Sequence, residues 1–317
     1  MLVRVRACGI CGSDVHGFDG STGRRVPPLV MGHEAAGTIE RVGDRVRGLA
    51  PGARVTFDST VSCGRCEYCT RGQMNLCEDR RVLGVSCAEY RRHGAFAEFI
   101  AVPARIVYPL PEAMPFEHAA LIEAVSVAVH AVDRRVPDRA SPVVVIGCGM
   151  IGLLVIQILR ARGCERVIAV DVDSRRLSMA SQLGAADGVD ATSDDVLTAI
   201  ARVTGPRGAD HAFEVVGRAE TVDAAVRCVR KGGTVTLVGN LSPTVPLPLQ
   251  SVVTREIALL GSCASSGEYP TCIDLMTRGA VDVGPLISAT APLEEGPAWF
   301  DRLHRGGAGL MKVILRP

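Results

Sequence analysis

Four cysteines stand within fifteen residues in the stretch CGRCEYCTRGQMNLC. Cys63, Cys66, Cys69 and Cys77 follow the spacing C-x2-C-x2-C-x7-C. Thiolates this close can complete a tetrahedral shell around zinc. A shell of four leaves no position for a substrate, so such a zinc would be structural. An iron–sulfur cluster also takes four cysteines, and four thiols without a metal are the remaining reading. The second pattern is GCGMIG, with Gly147, Gly149 and Gly152. G-x-G-x-x-G alone says little, but here it follows the apolar run VVVIG and opens a helical pattern at Met150. Gly147 would make the tight turn, Gly149 would let a pyrophosphate approach the backbone, and Gly152 would let helix and strand pack. The phosphates would meet the N–H groups at the helix start, around Met150 and Ile151. Asp171 ends the next strand pattern and is placed to accept both hydroxyls of an adenosine ribose. Arg176 belongs with this cofactor set. Beside Arg175 it could pair with a 2′-phosphate, but Asp171 and Asp173 offset the two charges, which favours NAD over NADP.

A third set is scattered: Cys11, Ser13, Asp14 and His16 in CGSDVH, His33 and Glu34 in GHE, and Glu123. Taken alone, these residues permit a metal site with mixed sulfur, nitrogen and oxygen donors and an open position, the pattern of a catalytic zinc. They equally permit a core thiol and a histidine satisfied by its neighbours.

The elements that must position these groups fall into two textures. Residues 1 to about 124 hold short Val/Ile runs among Gly and Pro, such as ARVTF (53–57) and FAEFIAV (96–102), which predicts irregular β structure. Residues 125–264 alternate strands and helices: strands at 143–147, 166–171, 186–190, 209–217, 233–239 and 257–262, and helices at 150–163, 174–184, 193–204 and 219–230. Ser174 reads as an N-cap. Such alternation predicts a doubly wound parallel sheet, a Rossmann arrangement in an α/β protein. The tail, about 265–317, loses the alternation and is expected to complete the first domain.

A chain of 317 residues with 47% hydrophobic side chains can bury a large core, so disorder is excluded. A net charge of +1 and 4% aromatics argue against a nucleic-acid partner. Twelve cysteines are too sparse for a disulfide scaffold. The opening MLVRVRACGICGSD has no apolar stretch of signal-peptide length, so a reducing cytoplasm is expected. Residues 140–159 carry no charge and are long enough to cross a bilayer. Their three glycines and Pro142 favour a buried strand, turn and helix instead, with no membrane. Cys8, Cys87, Cys148, Cys164, Cys228, Cys263 and Cys272 read as small buried residues or inert thiols.

CGICGSDVH (8–16), MGHEAAG (31–37), the four-cysteine lobe, GAFAEF (94–99), IEAVSVAVHA (122–131) and GCGMIG occur in one order. As an ordered set they resemble the medium-chain, zinc-dependent alcohol dehydrogenase family, and within it the sorbitol (L-iditol) and threonine dehydrogenase branch. The resemblance runs over nearly the whole chain. It implies a chaperonin-10-like β-rich catalytic domain joined to the Rossmann domain, two zinc ions per chain, NAD, an alcohol or polyol substrate, and a homo-oligomer. It implies that Cys11, His33 and Glu34 bind the catalytic zinc, that Glu123 is a fourth ligand or holds the zinc-bound water, and that Asp14 hydrogen-bonds His33. Ser13 would face the substrate hydroxyl and His16 the nicotinamide ribose, forming a proton relay.

Three features depart from the family. Strands that usually precede this start are absent, so residues 2–6 are expected to form an exposed sheet edge. Ala124 stands where proline is common. GSCASSGEYP (261–270) has no arginine where sorbitol dehydrogenases carry an arginine–aromatic pair, which puts sorbitol itself in doubt. Two alternatives remain. A zinc-free enone or quinone reductase on this scaffold would lack Cys11, His33 and Glu34. A catalytically impaired dinucleotide-binding structural or sensor protein would have lost Ser13 and His16.

Overall fold

The computed structural model describes residues 1–86, 91–192, 195–307 and 309–317. Cys87 and the start of the helix expected at 193–204 lie outside the described residues. The chain forms two compact units. One comprises Met1–Ser126, Ser265–Gly279 and Val283–Pro317, and the other Val127–Ala264 and Ala280–Asp282.

The first unit is built on a sheet of seven strands among the described residues. Its path runs Ile287–Pro292, Lys312–Arg316, Leu2–Ile10, Glu34–Arg41, Arg54–Phe57, Val107–Pro109, with Phe99–Ala101 also paired to Leu2–Ile10. Alternation along the first strand turns Val3 and Val5 inward, where they pack with Ile39, Val55, Phe57 and Ile100. The expected exposed edge is not there. Leu2–Ile10 pairs with Glu34–Arg41 on one side; on the other, Leu2–Arg4 pairs with Phe99–Ala101 and Cys8–Ile10 with Lys312–Arg316. At residues 2–5 the backbone groups that the expectation left open are taken up by the returning Phe99–Ala101 segment and by the Val5 N–H, which donates to the Glu98 carbonyl at 2.9 Å.

The second unit holds a six-stranded sheet in the order Asp187–Asp190, Arg166–Asp171, Pro142–Ile146, Ala209–Glu214, Val229–Leu237, Ala258–Gly261. Every pairing is parallel. Numbered along the chain this is 3-2-1-4-5-6, the dinucleotide-binding order, with its reversal beside the first strand. Residues 140–159 resolve into the wholly buried strand Pro142–Ile146, a turn, and the helix Met150–Ala161. Among the described residues no helix is long and apolar enough to cross a membrane. The helix Ser174–Gln182 is capped by Asp173 rather than Ser174. The Asp173 carboxylate accepts the Arg175 N–H at 2.9 Å, a bond that Ser174, already helical, is not placed to make. Cys263, expected among the buried or inert thiols, is exposed.

Candidate active site

The cysteine lobe is pinned by short local structure. Cys66 precedes the helical turn Glu67–Thr70, and Cys77 follows the turn Met74–Leu76. The four sulfurs lie within 4.8 Å of one another. Cys63 Sγ and Cys69 Sγ are 4.0 Å apart, close to the edge of about 3.8 Å of a tetrahedron with 2.3 Å zinc–sulfur arms. A cluster would seat its thiolates on different irons and spread them wider, so the compact set favours a single ion. The N–H groups of Arg65 and Cys66 point at Cys63 Sγ at 3.5 and 3.4 Å and hold its pKa down to about 6, toward the thiolate a metal needs. Ser266, in the departing stretch 261–270, ties this lobe in place. Its hydroxyl donates to the Gly72 carbonyl at 2.7 Å and accepts the Met74 N–H at 2.9 Å.

The second donor group comes from two strand ends. Cys11 follows the strand Leu2–Ile10, His33 precedes Glu34–Arg41, and Glu34 opens it, with Glu34 opposite Gly9 in the register. The donor atoms of Cys11, His33 and Glu34 lie within 4.8 Å of one another. Three donors leave a coordination position open. Glu123, on the helix Ile122–Asp133, is not in that compact group. Its Oε1 accepts from Ser59 Oγ at 3.4 Å. Enclosure pushes its carboxyl up to about 7, with His33 opposing and Glu34 adding. The structure therefore places Glu123 near the donors rather than among them.

Asp14 is wholly buried and joins this set from below. Its Oδ2 accepts the Cys11 N–H at 3.3 Å, and its Oδ1 lies 3.4 Å from His33 Nδ1 and 2.8 Å from Arg25 Nη2. In place of the expected Asp14–His33 hydrogen bond the two atoms stand in a longer contact, with no hydrogen bond formed at His33 Nδ1 among the described residues. Burial works against the charge on Asp14, but His33 and Arg25 override it and hold its pKa below the ordinary range. Ser13 and His16 are exposed, one helical turn apart on Gly12–Gly17. Sequence reasoning missed Lys312. It is 3% exposed, and its Nζ donates to both Glu34 oxygens at 2.8 and 2.7 Å and to the Ile10 carbonyl at 3.1 Å. The available signal was a charge entering the apolar run VIL.

In the second unit Gly147 has φ +97, a left-handed turn closed to most side chains, and a Cβ at Gly152 would overlap the Gly147 carbonyl. At Gly149 a Cβ would meet nothing within 4 Å. The first intrahelical bond runs from Leu153 N–H to Gly149 C=O, so the N–H groups of Met150, Ile151 and Gly152 face the turn. Asp171 does more than the sequence suggested: its Oδ2 accepts the Cys148 N–H at 2.6 Å and its Oδ1 the Asp173 N–H at 2.9 Å, bracing the glycine turn. Arg175 pairs with Asp173 at 2.8 Å, and Arg176 lies 3.9 Å from Asp171.

A β-rich unit with one closed and one open donor set, and a parallel sheet with a glycine turn at its switch point, define a zinc- and dinucleotide-type dehydrogenase. Residues 1–112 match the alcohol dehydrogenase GroES-like domain and residues 151–278 the zinc-binding dehydrogenase domain. The chain is 35% identical to L-idonate 5-dehydrogenase of Vitis vinifera, over 96% of this chain and 85% of that protein. It is 33% identical to sorbitol dehydrogenase of Bacillus subtilis, over 100% and 90%. A zinc-binding dehydrogenase of Sinorhizobium meliloti, solved bound to NADP, superposes with a TM-score of 0.92 at 35% identity, covering 100% of this chain and 92% of that one. The chain belongs to the medium-chain, zinc-dependent alcohol dehydrogenase family, in its sorbitol dehydrogenase-like branch.

Proposed function

We propose that this protein oxidises a secondary alcohol of a polyol or sugar-derived compound, passing hydride to NAD, with Cys11, His33 and Glu34 holding a catalytic zinc and Cys63, Cys66, Cys69 and Cys77 a structural one. The compact, three-donor set with an open position carries the reading. A zinc there supplies Lewis acidity that lowers the pKa of the substrate hydroxyl. Ser13 takes the hydroxyl proton and hands it on toward His16 and solvent. Asp14 keeps His33 oriented, and the N–H groups at 150–152 receive the cofactor phosphates. Relatives named for L-idonate, sorbitol and D-arabitol phosphate support a polyhydroxylated substrate. The family resemblance supports a homo-oligomer in the cytoplasm. NADH formation at 340 nm across a polyol and sugar-acid panel tests the activity, and no turnover by zinc-replete protein would overturn it.

Metal content follows directly. Purified protein should carry two zinc ions per chain, and Cys11→Ser should lower this to one without loss of the lobe's metal. A ratio of one in the wild type, unchanged by Cys11→Ser, would remove the catalytic zinc from the reading.

Cofactor choice rests on Asp171. The 2′-phosphate of NADP carries roughly −1.5 to −2 charges at neutral pH, by analogy with protein phosphates. One unit-charge repulsion at about 5 Å and an effective dielectric near 20 is about 3 kcal/mol, roughly a hundredfold preference for NAD. The NADP-bound relative is the counter-argument, but the Arg175 and Arg176 that would serve a phosphate already face Asp173 and Asp171. Because Asp171 also braces the turn, Asp171→Asn is a better probe than truncation. The kcat/KM ratio of NAD over NADP should be at least about a hundred in the wild type and fall at least tenfold in Asp171→Asn. A wild-type ratio near one defeats the preference.

A further inference from the structure

Arg25 is an arginine that is 5% exposed, in the stretch between CGSDVH and GHE. Its guanidinium makes four hydrogen bonds. Nε and Nη2 both donate to Asp14 Oδ1, at 3.0 and 2.8 Å; Nη2 also donates to Ser13 Oγ at 3.2 Å; and Nη1 donates to the Arg24 carbonyl at 3.0 Å. The surroundings are shaped to hold it. Gly17 leaves room for the stem, since a Cβ there would come within 2.8 Å of Arg25 Cγ and 2.9 Å of Thr22 Oγ1. Ser86 grips the backbone on both sides of Arg25: its hydroxyl accepts the Val26 N–H at 2.6 Å, and its N–H donates to the Arg24 carbonyl at 3.1 Å.

Resting on the reading above, we propose that Arg25 is a positioning residue for the acid–base step, setting the Ser13 hydroxyl and, through Asp14, the metal donors Cys11 and His33. A guanidinium has donors only and keeps its charge at any working pH. It therefore fills one lone pair of Ser13 Oγ and obliges the Ser13 O–H to point elsewhere, leaving one lone pair for the substrate proton. Its charge also favours whatever negative character Oγ acquires while a proton moves. On the other side it anchors Asp14, whose two oxygens face Cys11 N–H and His33 Nδ1. Lysine keeps the charge but gathers its donors at one point, and so cannot serve Asp14 and Ser13 with the same planar fork.

The experiment crosses Arg25→Lys with Ser13→Ala in the full-length, zinc-loaded protein. It measures kcat and KM for an alcohol that the wild type oxidises, and the rate at which a chelator removes the catalytic zinc. Misplacement of about 1 Å at such a site costs up to about a hundredfold, so Arg25→Lys should lower kcat by about ten- to a hundredfold. With the serine hydroxyl already removed, the same change should cost several-fold less in kcat, because only the route through Asp14 to Cys11 and His33 remains. Zinc release should quicken severalfold in both backgrounds. An equal loss of kcat with and without the hydroxyl, or unchanged zinc release, overturns the proposal. If the wild type oxidises no alcohol, the activity reading has failed on its own, and zinc release alone decides for or against Arg25. If Arg25→Lys does not fold, Gly17→Ala presses on the arginine stem from a helical position and carries the same expectations.

Discussion

Ser13→Ala is expected to lower kcat by about 100- to 10,000-fold, the range for losing a general acid–base step, while NADH binding stays within about twofold. Ser13 is exposed and sits one turn before the exposed His16, on a helix whose other face buries Asp14 and Val15. Positions three apart on a helix are neighbours, so a proton accepted at Ser13 is one turn from an imidazole. NADH binding is spared because the glycine turn and Asp171 belong to the second unit, whereas Ser13 belongs to the first. Removing Oγ deletes a hydrogen-bond acceptor for Arg25, but Arg25 keeps both bonds to Asp14, so the fold and zinc content should hold. Stopped-flow turnover, with NADH fluorescence titration as the control, checks this. Turnover within about threefold of the wild type would take Ser13 out of the relay.

What was legible in the sequence followed the span of each interaction. The cysteine lobe has all four donors within fifteen residues, so spacing alone brought them together. The glycine turn was legible because the strand Pro142–Ile146 and the helix Met150–Ala161 flank it directly. Cys11, His33 and Glu34 needed the family resemblance, since only the pairing of Leu2–Ile10 with Glu34–Arg41 makes them neighbours. Arg25 and Lys312 escaped altogether. Arg25 meets Asp14 across eleven residues of irregular chain, and Lys312 meets Glu34 across 278. Neither distance has a period or a spacing rule. The same kind of long-range pairing closed the sheet edge expected at residues 2–6, because residues 99–101 return to pair with Leu2–Arg4 on the side away from Glu34–Arg41.

Lys312→Met should destabilise the metal-free protein by about 3–5 kcal/mol, the usual cost of removing one partner of a buried ion pair, and should do so much less once zinc is bound. Glu34 and Lys312 are 1% and 3% exposed, so solvent screens neither charge. Burial works against the ammonium, but Glu34 overrides it and raises the Lys312 pKa. The lysine donates to both carboxylate oxygens, which makes it a cation standing where the donor set of Cys11, His33 and Glu34 would otherwise face only zinc. Without zinc, the variant removes the ammonium that faces both oxygens of the buried Glu34 carboxylate. With zinc, the metal's own charge takes over that role, and Glu34 no longer divides itself between lysine and metal. Thermal melting of apo and zinc-loaded protein separates these states. A unit of this size loses about 2–4 °C of Tm per kcal/mol, so the apo variant should melt roughly 10 °C lower and the loaded variant only a few degrees lower. Chelator competition should show zinc held more tightly in the variant than in the wild type. Equal melting losses with and without zinc would make the pair a packing element unconnected to the metal, and no loss in the apo protein would mean that Glu34 does not depend on Lys312 at all.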